Sequence, residues 1–169
     1  MTPDAFSDEI LKPRASNQTS WNMIAYHSEW IPNKTAGGSG NGGDKRFWLN
    51  PQFVIKLVDV DLNDDEDLAT VIISLMQKYT REKRIKKNGD QAEEFLQFRF
   101  YRIVNDSDPE KSIRNGVKFN EHQLQKVGNS GDYINKREIT KRFRVKPGYY
   151  LIIPSKSFKL IFNYFKMYI

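Results

Sequence analysis

The run Thr70-Val-Ile-Ile-Ser-Leu-Met-Gln77 is the stretch of this chain that most clearly indicates its fold. Its residues are mainly β-branched or large and apolar, which favours a strand packed on a half-buried surface. Charged residues lie on both sides of the run, so its limits are sharp. We therefore predict a strand over Val71–Gln77.

Two charge runs of opposite sign flank this strand. From Asp59 to Asp67 (the acidic run) six residues are acidic and none is basic; from Lys78 to Lys87 (the basic run) six are basic and one is acidic. Crowded carboxylates repel each other and are stabilised by a nearby cation. Calcium accepts about six to eight oxygen ligands in flexible geometry. The acidic run therefore predicts a calcium site, with the ligands Asp59, Asp61, Asp64, Asp65, Glu66 and Asp67.

Alternatives remain open for both runs. The acidic run is not an EF-hand, because it lacks that motif's central Gly and final Glu. It also fits an intramolecular contact with basic side chains, or a solvated loop without a ligand. The basic run fits an acidic phospholipid headgroup or an acidic protein surface. Basic residues also protect an exposed strand edge from aggregation. The predicted contact residues are Lys78, Arg81, Lys83, Arg84, Lys86 and Lys87.

The rest of the chain predicts an all-β antiparallel sandwich, because short strand-like runs recur between turns. Five Gly residues between Thr35 and Gly43 indicate either a flexible connection or a tight loop, and they mark the predicted domain boundary. Residues 118–127 are ambiguous, and residues 155–169 form either a closing strand or a terminus unlike the rest. The other predicted strands are residues 21–27, 52–58, 95–104, 137–145 and 149–153.

Composition limits the function. The 169 residues contain no Cys, which excludes a disulfide, a thiolate metal site and a Cys nucleophile within them. His27 and His122 have no evident nucleophile to activate, so we expect no catalytic role for either. The net charge of +6 suggests an anionic partner. Nucleic acid is disfavoured because no recognition motif is present. The N-terminus lacks a signal-peptide pattern, so we expect a cytoplasmic location, with membrane-surface association in addition.

Several motifs, in order, resemble the calpain family of calcium-dependent cysteine proteases. An opening Thr2-Pro-Asp4 is similar to a segment near the end of the calpain protease domain. The resemblance covers about residues 1–155. Its other motifs are Trp30-x-x-x-x-Thr35-Ala-Gly-Gly38, Phe47-Trp-x-Asn-Pro-Gln-Phe53, Leu75-Met-Gln-Lys78, Tyr133-Ile-Asn-x-Arg-Glu-Ile139, Arg142-Phe143 and Pro147-Gly-Tyr-Tyr-x-Ile-x-Pro-Ser155.

The resemblance implies that residues 1–44 are the end of the protease core with a Gly-rich linker. It implies that residues 45–169 are the third calpain domain, an eight-stranded, C2-like sandwich. In that family the acidic loop faces basic residues of the protease core, and calcium and acidic phospholipid loosen the contact. The implied function is a non-catalytic, calcium- and phospholipid-responsive regulatory domain whose partner is the protease core. The alternative is a structural docking scaffold without a ligand. The catalytic Cys, His and Asn have no counterparts here, and residues 156–169 depart from the family pattern.

Overall fold

A computed structural model of the protein describes residues 21–59, 66–78, 82, 85, 94–157 and 163–169. Within these residues eight strands form two four-stranded antiparallel sheets, which confirms the predicted all-β sandwich. An α-helix, α1, spans Pro109–Arg114. The strands are β1 Ala25–Trp30, β2 Phe53–Leu57, β3 Ala69–Gln77, β4 Leu96–Ile103, β5 Leu124–Asn129, β6 Glu138–Val145, β7 Gly148–Lys156 and β8 Asn163–Tyr168.

Consecutive strands mostly alternate between the two sheets. Sheet A has the order β1-β8-β3-β6, and sheet B has the order β2-β7-β4-β5. The acidic run therefore connects β2 in sheet B to β3 in sheet A, and the basic run follows the other end of β3. A strand of nine residues is roughly 25–30 Å long. The two runs are adjacent in sequence, but β3 holds their attachment points at opposite ends of the sandwich.

The main core lies between the sheets and is built from alternate side chains. Val71, Ile73 and Leu75 of β3 point inward and are buried, as period-two alternation requires. The Trp30 and Phe165 rings meet there at 4.3 Å between centroids. Each such side chain contributes about 1.5–3 kcal/mol when it leaves water. The outer face of β3 is only partly buried, so sheet A has one apolar and one wet face.

A second core covers the outer face of sheet B. Phe47 comes from a 3-10 segment, Lys45–Leu49, and packs with buried residues of β4 and β7. The central strands β4 and β7 of sheet B are therefore buried on both faces, and this explains the uninterrupted apolar run in β7. The buried members of this second core are Phe47, Tyr101, Ile103, Phe119, Leu151 and Ile153.

The Gly-rich stretch is a tight, packed loop and not an open connection. The Asn50 side chain accepts a hydrogen bond from Gly37 N–H (3.1 Å) and donates to the carbonyls of Gly38 and Phe47 (both 2.9 Å). A Cβ on Gly37 would lie 2.1 Å from the Arg46 carbonyl oxygen, so no larger residue fits there. Of the two interpretations left open by the sequence, the structure selects the loop.

The sandwich begins earlier than the predicted boundary at residue 45. Strand β1 pairs with β8 along its whole length, from Ala25 opposite Tyr168 to Trp30 opposite Asn163. Trp30 is fully buried in the main core. The observed first strand therefore lies closer to the C-terminus than the predicted residues 21–27. Trp30 is buried and belongs to the strand, whereas the apolar side chains of Trp21, Met23 and Ile24 are exposed. Residues 163–168 close the sheet, and residues 1–20, assigned by resemblance to the protease core, lie outside the described part.

Candidate functional site

The last residues of the acidic run lie beside strand β6. Ala69 at the start of β3 pairs with Val145 near the end of β6, and this register brings Glu66 next to Arg144. The Glu66 carboxylate accepts a hydrogen bond from the Arg144 guanidinium, forming an ion pair. The two side chains are 56% and 52% exposed, so the pair is worth only about 0–1 kcal/mol. The structure thus joins this carboxylate to a base 78 residues away.

The predicted calcium ligands are only partly within the described residues. Asp59 follows β2, while Glu66 and Asp67 precede β3; Asp61, Asp64 and Asp65 lie outside the described part of the chain. Among the residues that the structure does describe, no three His, Cys, Asp or Glu side chains come together as a metal cluster. Carboxylate oxygens are the ligands calcium prefers, so the donor chemistry fits.

Strand β6 carries a set of basic residues that the sequence analysis did not recognise as a surface. β6 is an edge strand of sheet A in the described structure, and its basic side chains are exposed. The alternation of Arg137–Val145 indicated a strand, but counting the bases in the same window would have indicated a charged edge. The exposed bases of β6 and its flanks are Lys136, Arg137, Lys141, Arg142, Arg144 and Lys146.

The first residue of the basic run meets two further bases on sheet A. The Lys78 Nζ atom lies 2.5 Å from Nδ1 of His27 in β1. Lys166 of β8 pairs directly with His27, so their side chains share the outer face of the sheet. Desolvation, followed by repulsion from Lys78 and Lys166, lowers the pKa of His27. The other predicted contact residues, Arg81, Lys83, Arg84, Lys86 and Lys87, lie outside the described residues.

The second histidine lies in a different environment. His122 is in a 3-10 turn, Glu121–Gln123, with its Nε2 atom 3.8 Å from the Glu121 carboxylate. His27 and His122 thus belong to separate elements and share no described hydrogen bond or ion pair with each other.

In the ranges that the structure covers, no helix is long and apolar enough to cross a membrane.

Comparison with known proteins defines the family. A family model described as calpain large subunit, domain III, matches residues 26–160. Calpain-A of Drosophila melanogaster is 39% identical over 155 residues, which cover 92% of this chain and 18% of that protein. The calpain-1 catalytic subunit of Gallus gallus is 31% identical over 157 residues, covering 92% and 21%. The chain spans about a fifth of the length of these relatives.

A more distant structural likeness is to the pre-peptidase C-terminal domain of a collagenase from Bacillus anthracis. It covers 70% of this chain and 86% of that domain at 13% identity, with a TM-score of 0.33. The family model and the identity to Calpain-A therefore carry the assignment. The chain belongs to the calpain family, and the matched residues correspond to domain III of the large subunit. The resemblance inferred from the sequence motifs is confirmed.

Proposed function

We propose that this chain is a non-catalytic regulatory module of a calpain-type cysteine endopeptidase that responds to calcium and acidic phospholipid. Its 169 residues contain no Cys, so they supply no Cys nucleophile of their own. The proposed partner is the protease core of a calpain, and the proposed location is the cytoplasm with reversible contact to an anionic membrane surface. The charged residues of this chain would regulate the protease, and the protease core would cleave the peptide.

The Glu66–Arg144 pair is the observation that supports this proposal most directly. It gives one carboxylate of the acidic run a positive partner on the neighbouring strand. When bound, calcium would supply the positive charge that Glu66 otherwise takes from Arg144. Arg144 would then be released on a strand whose other bases are exposed, and the positive potential of this edge would rise. Acidic loop and basic edge would thus respond to the same ion.

The magnitude of the response depends on the number of charges involved. One exposed pair contributes about 0–1 kcal/mol, which is too little to shift a domain equilibrium strongly. Six carboxylates acting together supply several such increments, and added salt screens each of them. The proposed regulation is therefore cooperative among the acidic residues and weakens at high ionic strength.

Calorimetric titration with calcium tests the proposal. Wild-type protein should release heat of binding that is reduced in the variant Asp64→Asn/Asp65→Asn and in Glu66→Gln. Replacing Glu121, an acid outside the run, with Gln is the matched control and should leave the heat unchanged. Equal heats in all four proteins would exclude the acidic run as the calcium site.

Co-sedimentation with vesicles separates regulation from scaffolding. Vesicles of phosphatidylcholine and phosphatidylserine should retain the protein more strongly when calcium is present, because basic side chains are released from carboxylates. Phosphatidylcholine vesicles are the control. If the protein stays in solution under every condition, the docking-scaffold function is the correct one.

A further inference from the structure

Three basic side chains from three strand regions meet at the basic end of β3. His27 belongs to β1, Lys166 lies opposite it on β8, and Lys78 directly follows β3. The register that pairs Met76 with Lys166 brings the end of β3 alongside the same position. Lys78 Nζ and His27 Nδ1 are 2.5 Å apart. Because an ammonium group can only donate, Nδ1 accepts this hydrogen bond and the imidazole is neutral.

The acidic residues of the same sheet face leave this trio positive. Glu29 lies on β1 two residues after His27, and Glu138 lies on β6 opposite Met76. The Glu138 carboxylate accepts hydrogen bonds from Ser74 Oγ (2.5 Å) and Thr140 Oγ1 (3.2 Å). Within the described ranges, no ion pair joins Glu29 or Glu138 to the three bases; the pairs found there are Asp44–Arg46, Glu121–His122 and Glu66–Arg144.

We propose that His27, Lys78 and Lys166 form a binding site for a phosphate group. Phosphate oxygens accept hydrogen bonds from ammonium and imidazole N–H groups, and such charge-assisted bonds are about twice as strong as neutral ones. An anion bridging Lys78 and His27 would relieve the crowding of like charge on this face. The inference deepens the anionic-lipid part of the proposed function, on which it rests, by giving that binding specific atoms.

The site has a built-in pH dependence through His27. Lys78 contacts this imidazole from the end of β3, and Lys166 lies opposite it on β8, with its Nζ atom 4.4 Å from the centroid of the Tyr168 ring. Glu29 lies on the same strand as His27, and Glu138 lies beyond β3 on β6. Protonation of His27 adds a third positive charge and frees Lys78 from its hydrogen bond. The protonated state therefore binds a dianion more tightly, and a bound anion in turn raises the pKa of His27.

The two histidines make a direct measurement by NMR possible, because the chain contains only these two imidazole groups. Inorganic phosphate added to the whole chain at constant pH should shift the His27 signals, and those of His122, which is 84% exposed beside Glu121, serve as an internal control. Lys78→Gln and Lys166→Gln should each weaken the phosphate affinity roughly fivefold, as loss of one exposed charge contact predicts. Lys126→Gln, on sheet B with the same loss of charge, should not.

Sulfate extends the measurement to pH, because it stays a dianion throughout the range in which His27 titrates. Its affinity should rise as the pH falls through the His27 pKa in the wild type, and this rise should be lost in His27→Gln. Equal shifts of both histidines with phosphate, or equal weakening by all three Lys variants, would overturn the site.

Two further arms identify the source of the phosphate. A soluble inositol phosphate tests the free ligand, and vesicles containing a phosphatidylinositol phosphate test the headgroup. If free phosphate shifts His27 but vesicles never retain the protein, the site stands and the lipid function fails. If vesicles retain the wild type and the variant Lys78→Gln/Lys166→Gln equally, lipid binding stands and this site is wrong.

Discussion

The two ends of strand β3 carry opposite charges, and the charged side chains at the two ends have different kinds of partner. At the acidic end, Glu66 pairs with Arg144 on the neighbouring strand. At the basic end, Lys78 contacts a neutral imidazole and lies near another ammonium group, so positive charge accumulates. The partners are set by strand register and not by distance along the chain. Glu66 and Lys78, the described residues at the two ends of β3, therefore have separate partners.

Strand β3 acts as a rigid spacer between the two charged ends. The side chains that fix it are inward-facing, while its outer face is partly wet. Removing an inward side chain should loosen both charged ends together. Removing an outward one should leave them in place.

The largest effect should therefore come from Ile73→Ala. Ile73 is fully buried between the sheets, so its truncation should lower the free energy of unfolding by about 2–5 kcal/mol. Ile72→Ala, its partly exposed neighbour on the outer face, is the matched control and should cost less than about 1.5 kcal/mol. Urea denaturation of both variants measures the difference. Equal losses would mean that β3 is not anchored through its inner face.

A smaller effect should come from the acidic end. In a double-mutant cycle, Glu66→Gln and Arg144→Gln should show a coupling energy of about 0.2–1 kcal/mol at low salt. The coupling should vanish near molar salt, because both side chains are about half exposed. The pair Glu66→Gln and Lys141→Gln should be additive within error and serves as the control. A coupling that persists in high salt would contradict an exposed ion pair.

At the basic end, Lys78→Gln should raise the pKa of His27. Desolvation lowers this pKa first, and repulsion from Lys78 and then Lys166 lowers it further, so removal of one ammonium relieves part of the effect. NMR titration of the imidazole measures the change, with Lys126→Gln as the control of equal charge. A His27 pKa unmoved by Lys78→Gln, or moved equally by the control, would separate the two residues electrostatically.

The smallest effect should be on stability. Because the folded-state pKa of His27 lies below its unfolded value near 6.5, the unfolded chain takes up this proton more readily. The stabilisation linked to neutral His27 is fully present above the unfolded-state pKa, and it is lost as the pH falls through the folded-state pKa. The wild type should thus lose more stability on acidification than His27→Gln. The difference should shrink in a Lys78→Gln background, and thermal unfolding across this pH range checks both.

The strands with continuous apolar patterns were predictable from the sequence. Strands β2, β3, β4, β6 and β7 were each predicted to within about three residues. Their buried side chains form apolar runs or apolar–polar alternation, and both patterns are visible in the local sequence. Residues 118–127 were ambiguous because β5 is exposed along much of its length. Strand β8 could not be settled because both of its partners, β1 and β3, lie far from it along the chain.

The candidate site was likewise only partly predictable from the sequence. The acidic and basic runs were visible as charge, but their partners were not, since Arg144 lies 78 residues from Glu66 and His27 lies 51 residues from Lys78. Only the register of β3 with β6, and of both β1 and β3 with β8, brings these residues together. The calcium ligands and the lipid contacts remain predictions.

The most direct test of the two separate ends is one NMR experiment on the whole chain with two additions. Calcium should perturb the Arg144 guanidinium and the signals around Glu66 while leaving the His27 imidazole unchanged. Phosphate, added to a separate sample without calcium, should perturb His27 and leave Arg144, which is paired with Glu66 there, unchanged. If either addition moves both groups alike, the two ends of β3 respond as one charged surface, which contradicts their separation by the strand.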